Sequence, residues 1–96
     1  MTKEDIVTQI SMKTGLTKKD VKVMVEAFLV TLKDAFLNDE RVELRGFGIF
    51  TTKIRKGKKG KNPRTNEDIY IPDKKTVVFK PSKTVTRMLN PKKGGN

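Results

Sequence analysis

Between Arg55 and Arg64 the chain sets six cationic side chains among ten residues and offers no apolar one except Pro63. A stretch so composed has nothing to bury, so it must lie outside whatever body the rest of the chain builds. Its flanks differ in kind. Val42 and Leu44 alternate with charged neighbours, Gly46-Phe47-Gly48 marks a tight turn, and Ile49 to Ile54 reads as a strand. On the far side Ile69 and Ile71 alternate with Asp68 and Tyr70, Pro72 interrupts, and Thr76 to Lys80 reads as another strand. A disordered linker is one possibility, since Gly57 and Gly60 among lysines favour disorder. A two-stranded ribbon projecting from the body is the other, and the alternation on the return favours it. An isolated ribbon is marginal in water, so the arm over residues 55–75 is expected to be mobile when free and ordered on a partner. Ten extended residues, Lys53 to Asn62, reach roughly 33 Å, about one turn of duplex DNA.

The first forty residues follow a different rule. Thr2 with Asp5 is a capping-box pattern, with Met1 and Ile6 at the positions of a hydrophobic staple. Ile6, Val7 and Ile10 form an apolar stripe, and Gly15 is the natural stop. Thr17 with Asp20 repeats the start signal, and Leu16 and Val21 repeat the staple. Val21, Met24, Val25, Phe28, Leu32, Ala35 and Phe36 then mark one face of a second helix, expected to end in the turn Asn38–Glu40. Ser82 caps a last short helix over residues 82–89 that carries Val85, Met88 and Leu89. The expected order is α-α-β-β-(β-arm)-β-α, an α+β fold, with residues 41–54 and 76–80 in the sheet. Residues 91–96 are expected to be a disordered basic tail.

The charge sits in one half. Residues 1–40 hold six Lys against seven Asp and Glu, a net of −1; residues 41–96 hold sixteen Lys and Arg against four acids, a net of +12. A surplus confined to one half is a poor fit to simple solubility and a good one to a polyanionic partner, nucleic acid first and an anionic membrane surface second. The chain has no histidine and no cysteine, so the usual general base, thiolate metal sites and disulfides are all excluded, and neither metal nor cofactor is expected. No long apolar span and no signal-peptide core stand in the sequence, which points to a soluble, intracellular protein. Catalysis would have to rest on lysines or on acids that read as caps and solvated faces.

Four separated segments carry a family resemblance. Arg45-Gly46-Phe47-Gly48-Ile49-Phe50 looks like the Gly-Phe-Gly-x-Phe hairpin of the bacterial HU/IHF family, and Gly60-Lys61-Asn62-Pro63-Arg64-Thr65 resembles its arm tip. Ile69-Tyr70-Ile71-Pro72 and Phe79-Lys80-Pro81-Ser82-Lys83 resemble its arm return and the approach to its last helix. The resemblance covers residues 1–90. It implies an intertwined dimer, a homodimer or a heterodimer with a paralogue, whose two sheets form a saddle on a helical base (residues 1–40). It also implies arms that enter the minor groove of double-stranded DNA, a non-enzymatic role in bending and compacting the nucleoid, and a cytoplasmic location. Bent, nicked or flexible duplex is the expected preference, because minor-groove readout is degenerate.

On this basis Pro63 is the expected wedge, a rigid apolar side chain with no N–H to strand when it enters a base step. Lys53, Arg55, Lys56, Lys58, Lys59, Lys61, Asn62, Arg64 and Thr65 on the outgoing arm, with Lys74 and Lys75 on the return, are expected to follow the phosphate backbones. Lys3, Lys80 and Lys83 are expected to neutralise phosphates on the body, while the amides of Gly46 and Phe47 and the helix start at Ser82 offer donors. Phe28, Leu32, Leu44, Phe47, Phe50 and Phe79 are expected in the dimer core, because so thin an apolar content suits burial between subunits. Three features depart from the family pattern: Lys61 stands where arginine is usual, Asn66 replaces a turn glycine, and the tail is extra. Two other functions compete. One is a site-specific IHF-like subunit; the other is a basic RNA- or ribosome-binding protein, which has no reason to carry a proline at a ribbon tip.

Overall fold

The computed structural model describes residues 1–91, so all of the expected tail at 91–96 except Pro91 lies outside the described residues. Two compact units divide the chain, residues 1–37 and the residues from Asn38 onward.

The first unit is a pair of helices, α1 (Lys3–Thr14) and α2 (Lys18–Leu37). Local chemistry sets its boundaries. The Asp5 N–H donates to Thr2 Oγ1 at 3.3 Å while the Thr2 N–H donates to Asp5 Oδ2 at 2.8 Å, so two orphan donors are satisfied reciprocally. Gly15 ends α1 in the left-handed region (φ 77°) and its N–H bonds the Ser11 carbonyl. Asp20 donates its N–H to Thr17 Oγ1 at 3.2 Å, which opens α2 as expected. The first staple does not form: Met1 is 85% exposed and Ile6 40%. Val7 and Val21 are buried where the helices meet, yet Phe28 on the same α2 stripe stays 49% exposed.

The second unit holds a three-stranded antiparallel sheet in the order β1-β2-β5, formed by β1 (Val42–Leu44), β2 (Gly48–Arg55) and β5 (Lys74–Pro81). Pairing of β2 with β5 runs from Gly48↔Pro81 to Arg55↔Lys74, beyond the strand ends read from hydrophobic alternation. A separate two-stranded ribbon pairs β3 (Lys58–Lys61) with β4 (Asp68–Ile71), in register from Lys58↔Ile71 to Lys61↔Asp68. The tight turn falls at Arg45-Gly46-Phe47, and Gly48 already belongs to β2. Gly48 is needed for space: a Cβ there would lie 2.5 Å from the Phe79 ring and 2.6 Å from the Lys80 carbonyl oxygen. Ser82 caps α3 (Lys83–Leu89) by accepting the Val85 N–H at 3.2 Å.

Candidate nucleic-acid interface

Antiparallel partners share a face of the sheet, and neighbours along a strand alternate. The register therefore sorts the side chains of the three-stranded sheet into two sets. Val42, Leu44, Phe50, Thr52, Ile54, Lys75, Val77 and Phe79 lie on one face. Lys53, Arg55, Lys74 and Lys80 lie on the other with one acid, Glu43, among Ile49, Thr51, Thr76 and Val78. One face is mainly apolar, and the other carries four cations against that single acid.

On the cationic face Arg55 and Lys74 stand directly opposite each other. Like charges in that relation destabilise a sheet, and a polyanion laid across them removes the penalty. Lys53 lies two residues along the same strand. On the ribbon, Lys59 and Lys61 share a face with Tyr70 and Asp68, and Lys58 shares the other with Ile69 and Ile71. Every residue of β3 and β4 is exposed. This segment cannot be held by a core of its own.

The tip is a built turn. Asn62 donates its N–H to the Glu67 carbonyl at 2.9 Å and accepts the Asn66 N–H at its own carbonyl at 2.7 Å. Its side-chain Oδ1 accepts the Arg64 N–H at 2.9 Å, and Thr65 Oγ1 accepts the Glu67 N–H at 3.4 Å. Asn66 adopts φ 58°, the left-handed geometry for which a glycine is usual and which asparagine tolerates. Pro63 thus rides on the apex of a loop closed by its neighbours, and Asn62 and Thr65 do structural work there.

Three expected phosphate contacts are otherwise engaged. Lys75 lies on the apolar face, where it pairs with Asp39, and Thr52 Oγ1 donates to the same carboxylate at 3.1 Å. Adjacent strand residues point to opposite faces, so Lys74 and Lys75 cannot both serve one surface; that signal was present in the alternation. Lys3 pairs with Glu26 of α2 at 2.5 Å, a contact between residues 23 apart in the chain that only the fold reveals. The Phe47 N–H is spent on the Leu44 carbonyl at 2.9 Å, and the Phe47 carbonyl accepts the Ser82 N–H at 2.9 Å. Gly46 and Ser82 do meet, in a shallow recess whose lining also includes Arg45 and Lys80. A second hollow joins Lys80 and Lys83 to Arg87, one helical turn beyond Lys83. Arg45 and Arg87 were not among the expected contacts; the four-residue spacing of Lys83 and Arg87 was the available clue.

The Lys75 and Thr52 bonds hold the Asp39 carboxyl below the ordinary carboxylate range. A depressed folded value means the contribution is present above the unfolded carboxyl value and lost as pH falls through the folded one. Asp39→Asn is accordingly expected to melt below the unaltered protein at neutral pH. The two melting curves, followed by circular dichroism, should begin to approach each other below a pH of about 4 and meet only below the folded value.

Among the described residues no helix is long and apolar enough to cross a membrane. Residues 1–90 match the family described as bacterial DNA-binding protein. The DNA-binding protein HU of Thermus thermophilus is 45% identical over 85 residues, 88% of either chain. Integration host factor subunit alpha of Hahella chejuensis is 40% identical, over 84% of this chain and 81% of its own. Among solved structures, an Anabaena HU–DNA cocrystal structure superposes with a TM-score of 0.86 at 33% identity, covering 96% of this chain and all of that one. Similarity that runs from the first helix to the last leads to one conclusion: the chain belongs to the bacterial DNA-binding protein family of HU and integration host factor, which is not a family of enzymes.

Proposed function

We propose that this chain is an architectural protein that dimerises, lays its cationic sheet faces against duplex DNA, sends its arms along the minor groove and bends the duplex by inserting Pro63. The observation that carries this reading is the two-faced sheet with its opposed Arg55 and Lys74, continued into a ribbon with nothing to bury. The cationic face and the exposed ribbon supply phosphate neutralisation without base-edge readout, so binding is largely sequence-tolerant. The apolar face is the complement of this. Phe47 is 49% and Phe79 40% exposed in the chain alone, which supports burial against a second copy. In the cell such a protein acts in the bacterial cytoplasm, compacting the nucleoid.

A salt series tests it. Neutralising six to ten phosphates costs about 10³- to 10⁵-fold in affinity between 50 and 200 mM salt. Affinity for a mixed-sequence duplex, read from gel shifts, is expected to fall within that range, and bent or nicked duplex should bind more tightly than linear. A shallow salt dependence removes the reading. The 40% identity with an integration host factor subunit favours one alternative, a site-selective heterodimer subunit. Equal affinity for mixed sequence and any fixed site at one salt concentration argues against that alternative, and a homodimer in a sizing measurement separates the two further.

A further inference from the structure

The ladder that joins the sheet to the arm is broken at one place. Pairing stops at Arg55↔Lys74 and resumes at Lys58↔Ile71, with Lys56 and Gly57 on one strand and Pro72 and Asp73 on the other left out. The paired numbers sum to 129 on both sides of the gap, so the register passes through it unshifted. No residue is inserted, so the interruption is an unpaired joint in a continuous ribbon rather than a bulge.

Two features mark that joint as built. Gly57 approaches the opposite strand so closely that a Cβ there would overlap the Ile71 carbonyl oxygen and lie 2.8 Å from the Pro72 carbonyl carbon. Across the gap the Gly57 N–H donates to Asp73 Oδ1 at 2.7 Å, between residues 16 apart in the chain. A side-chain carboxylate thus bridges the strands where backbone pairing fails. It does so in the most cationic part of the molecule, beside Arg55, Lys56, Lys58 and Lys74, where an acid weakens attraction to phosphate. A charge placed against the electrostatic purpose of its surroundings needs another role.

We propose that Asp73 is a positioning residue: its hydrogen bond to Gly57 clasps the joint and fixes the direction in which the arm tip leaves the sheet. In free solution the clasp narrows the range of directions the tip explores. On the reading of function given above, it aims Pro63 before DNA arrives, so less ordering has to be met on binding.

Asp73→Asn and Asp73→Ala test this as a pair, because both remove the charge and only the first keeps an acceptor for the Gly57 N–H. The natural sequence has no cysteine, so Lys61→Cys on the arm and Thr51→Cys on the sheet take spin labels cleanly. The label-to-label distance distribution is then measured in the full-length protein without DNA. It is expected to be narrower in the parent and in Asp73→Asn than in Asp73→Ala. The Gly57 amide should exchange about five- to tenfold faster in Asp73→Ala alone, the factor of one ordinary net hydrogen bond. Gly57→Ala, which cannot hold the close approach, should move the distance to a new value. All four proteins should melt together, since the arm contributes little to the cores.

Equal widths in all three Asp73 forms overturn the proposal. Equal broadening in Asp73→Asn and Asp73→Ala overturns it as well, because charge rather than the hydrogen bond would then hold the joint. Adding duplex separates the two ideas. If the free-protein pattern holds but no duplex is bent by the parent, the clasp stands and the DNA-bending reading falls.

Discussion

Pro63→Ala is expected to keep most of the affinity for linear duplex and to lose most of the bend. The tip does not depend on the proline ring. Its closing bonds run from the Asn62 N–H to the Glu67 carbonyl, from the Asn66 N–H to the Asn62 carbonyl, and from the Arg64 N–H to Asn62 Oδ1. Alanine at position 63 leaves each of them in place, and it leaves every cation in place too. The salt dependence of binding should therefore be unchanged within error, because phosphate neutralisation sets it. Bending is another matter. Opening a base step costs a few kcal/mol, offset only when an apolar wedge fills the gap and the bent duplex meets more protein surface. A methyl group is too small to fill it. Energy transfer between dyes at the two ends of a short duplex reads the bend, and a salt series on the same samples reads the electrostatics. Asn62→Ala makes the contrast, since it deletes the acceptor that shapes the turn and should disturb binding and bending together. An alanine variant that bends DNA as fully as the parent would remove the wedge from the mechanism.

Chemistry acting over a few residues was legible without coordinates. Thr2 with Asp5, Gly15, Thr17 with Asp20, and Ser82 all sit where their side chains or φ values require. The stripe on α2 and the change of period at Arg41 settled the class of fold for the same reason: each rests on neighbours along the chain. What escaped was the pairing of distant residues. Nothing local joins Lys3 to Glu26 or Lys75 to Asp39, and both cations looked available for phosphate until the fold brought acids beside them. The Phe47 amide escaped differently, since the turn that displays it also consumes it. Pro72 announced an interruption in the returning strand. That Asp73 reaches across to Gly57 depends on the opposite strand, whose position no periodicity supplies.

Truncating Phe79 to alanine is expected to be the most damaging single change to stability, about 3–5 kcal/mol as for a large aromatic lost from a packed core. Within one chain that figure would be too large. Phe79 packs at a tilt against Phe50 at 4.8 Å and Phe47 at 5.2 Å between ring centres, yet 40% of it remains exposed. A half-exposed ring has only part of its transfer free energy to lose. The full cost arises only if a second subunit covers the apolar face, so the size of the effect reports on the dimer. Small domains are stable by about 5–15 kcal/mol, and a loss on this scale leaves little folded protein at low concentration. Two measurements check it together. The melting temperature of the parent should rise with protein concentration, as mass action requires of a folded dimer. Phe79→Ala should melt far lower and sediment increasingly as monomer on dilution. Met88→Ala, at a side chain 75% exposed on the last helix, serves as the control and should change neither. A parent chain that melts at the same temperature at every concentration, with Phe79→Ala costing under about 1 kcal/mol, would mean the apolar face has no partner. The cationic face would then have to hold DNA as a single small sheet, with one arm and no saddle.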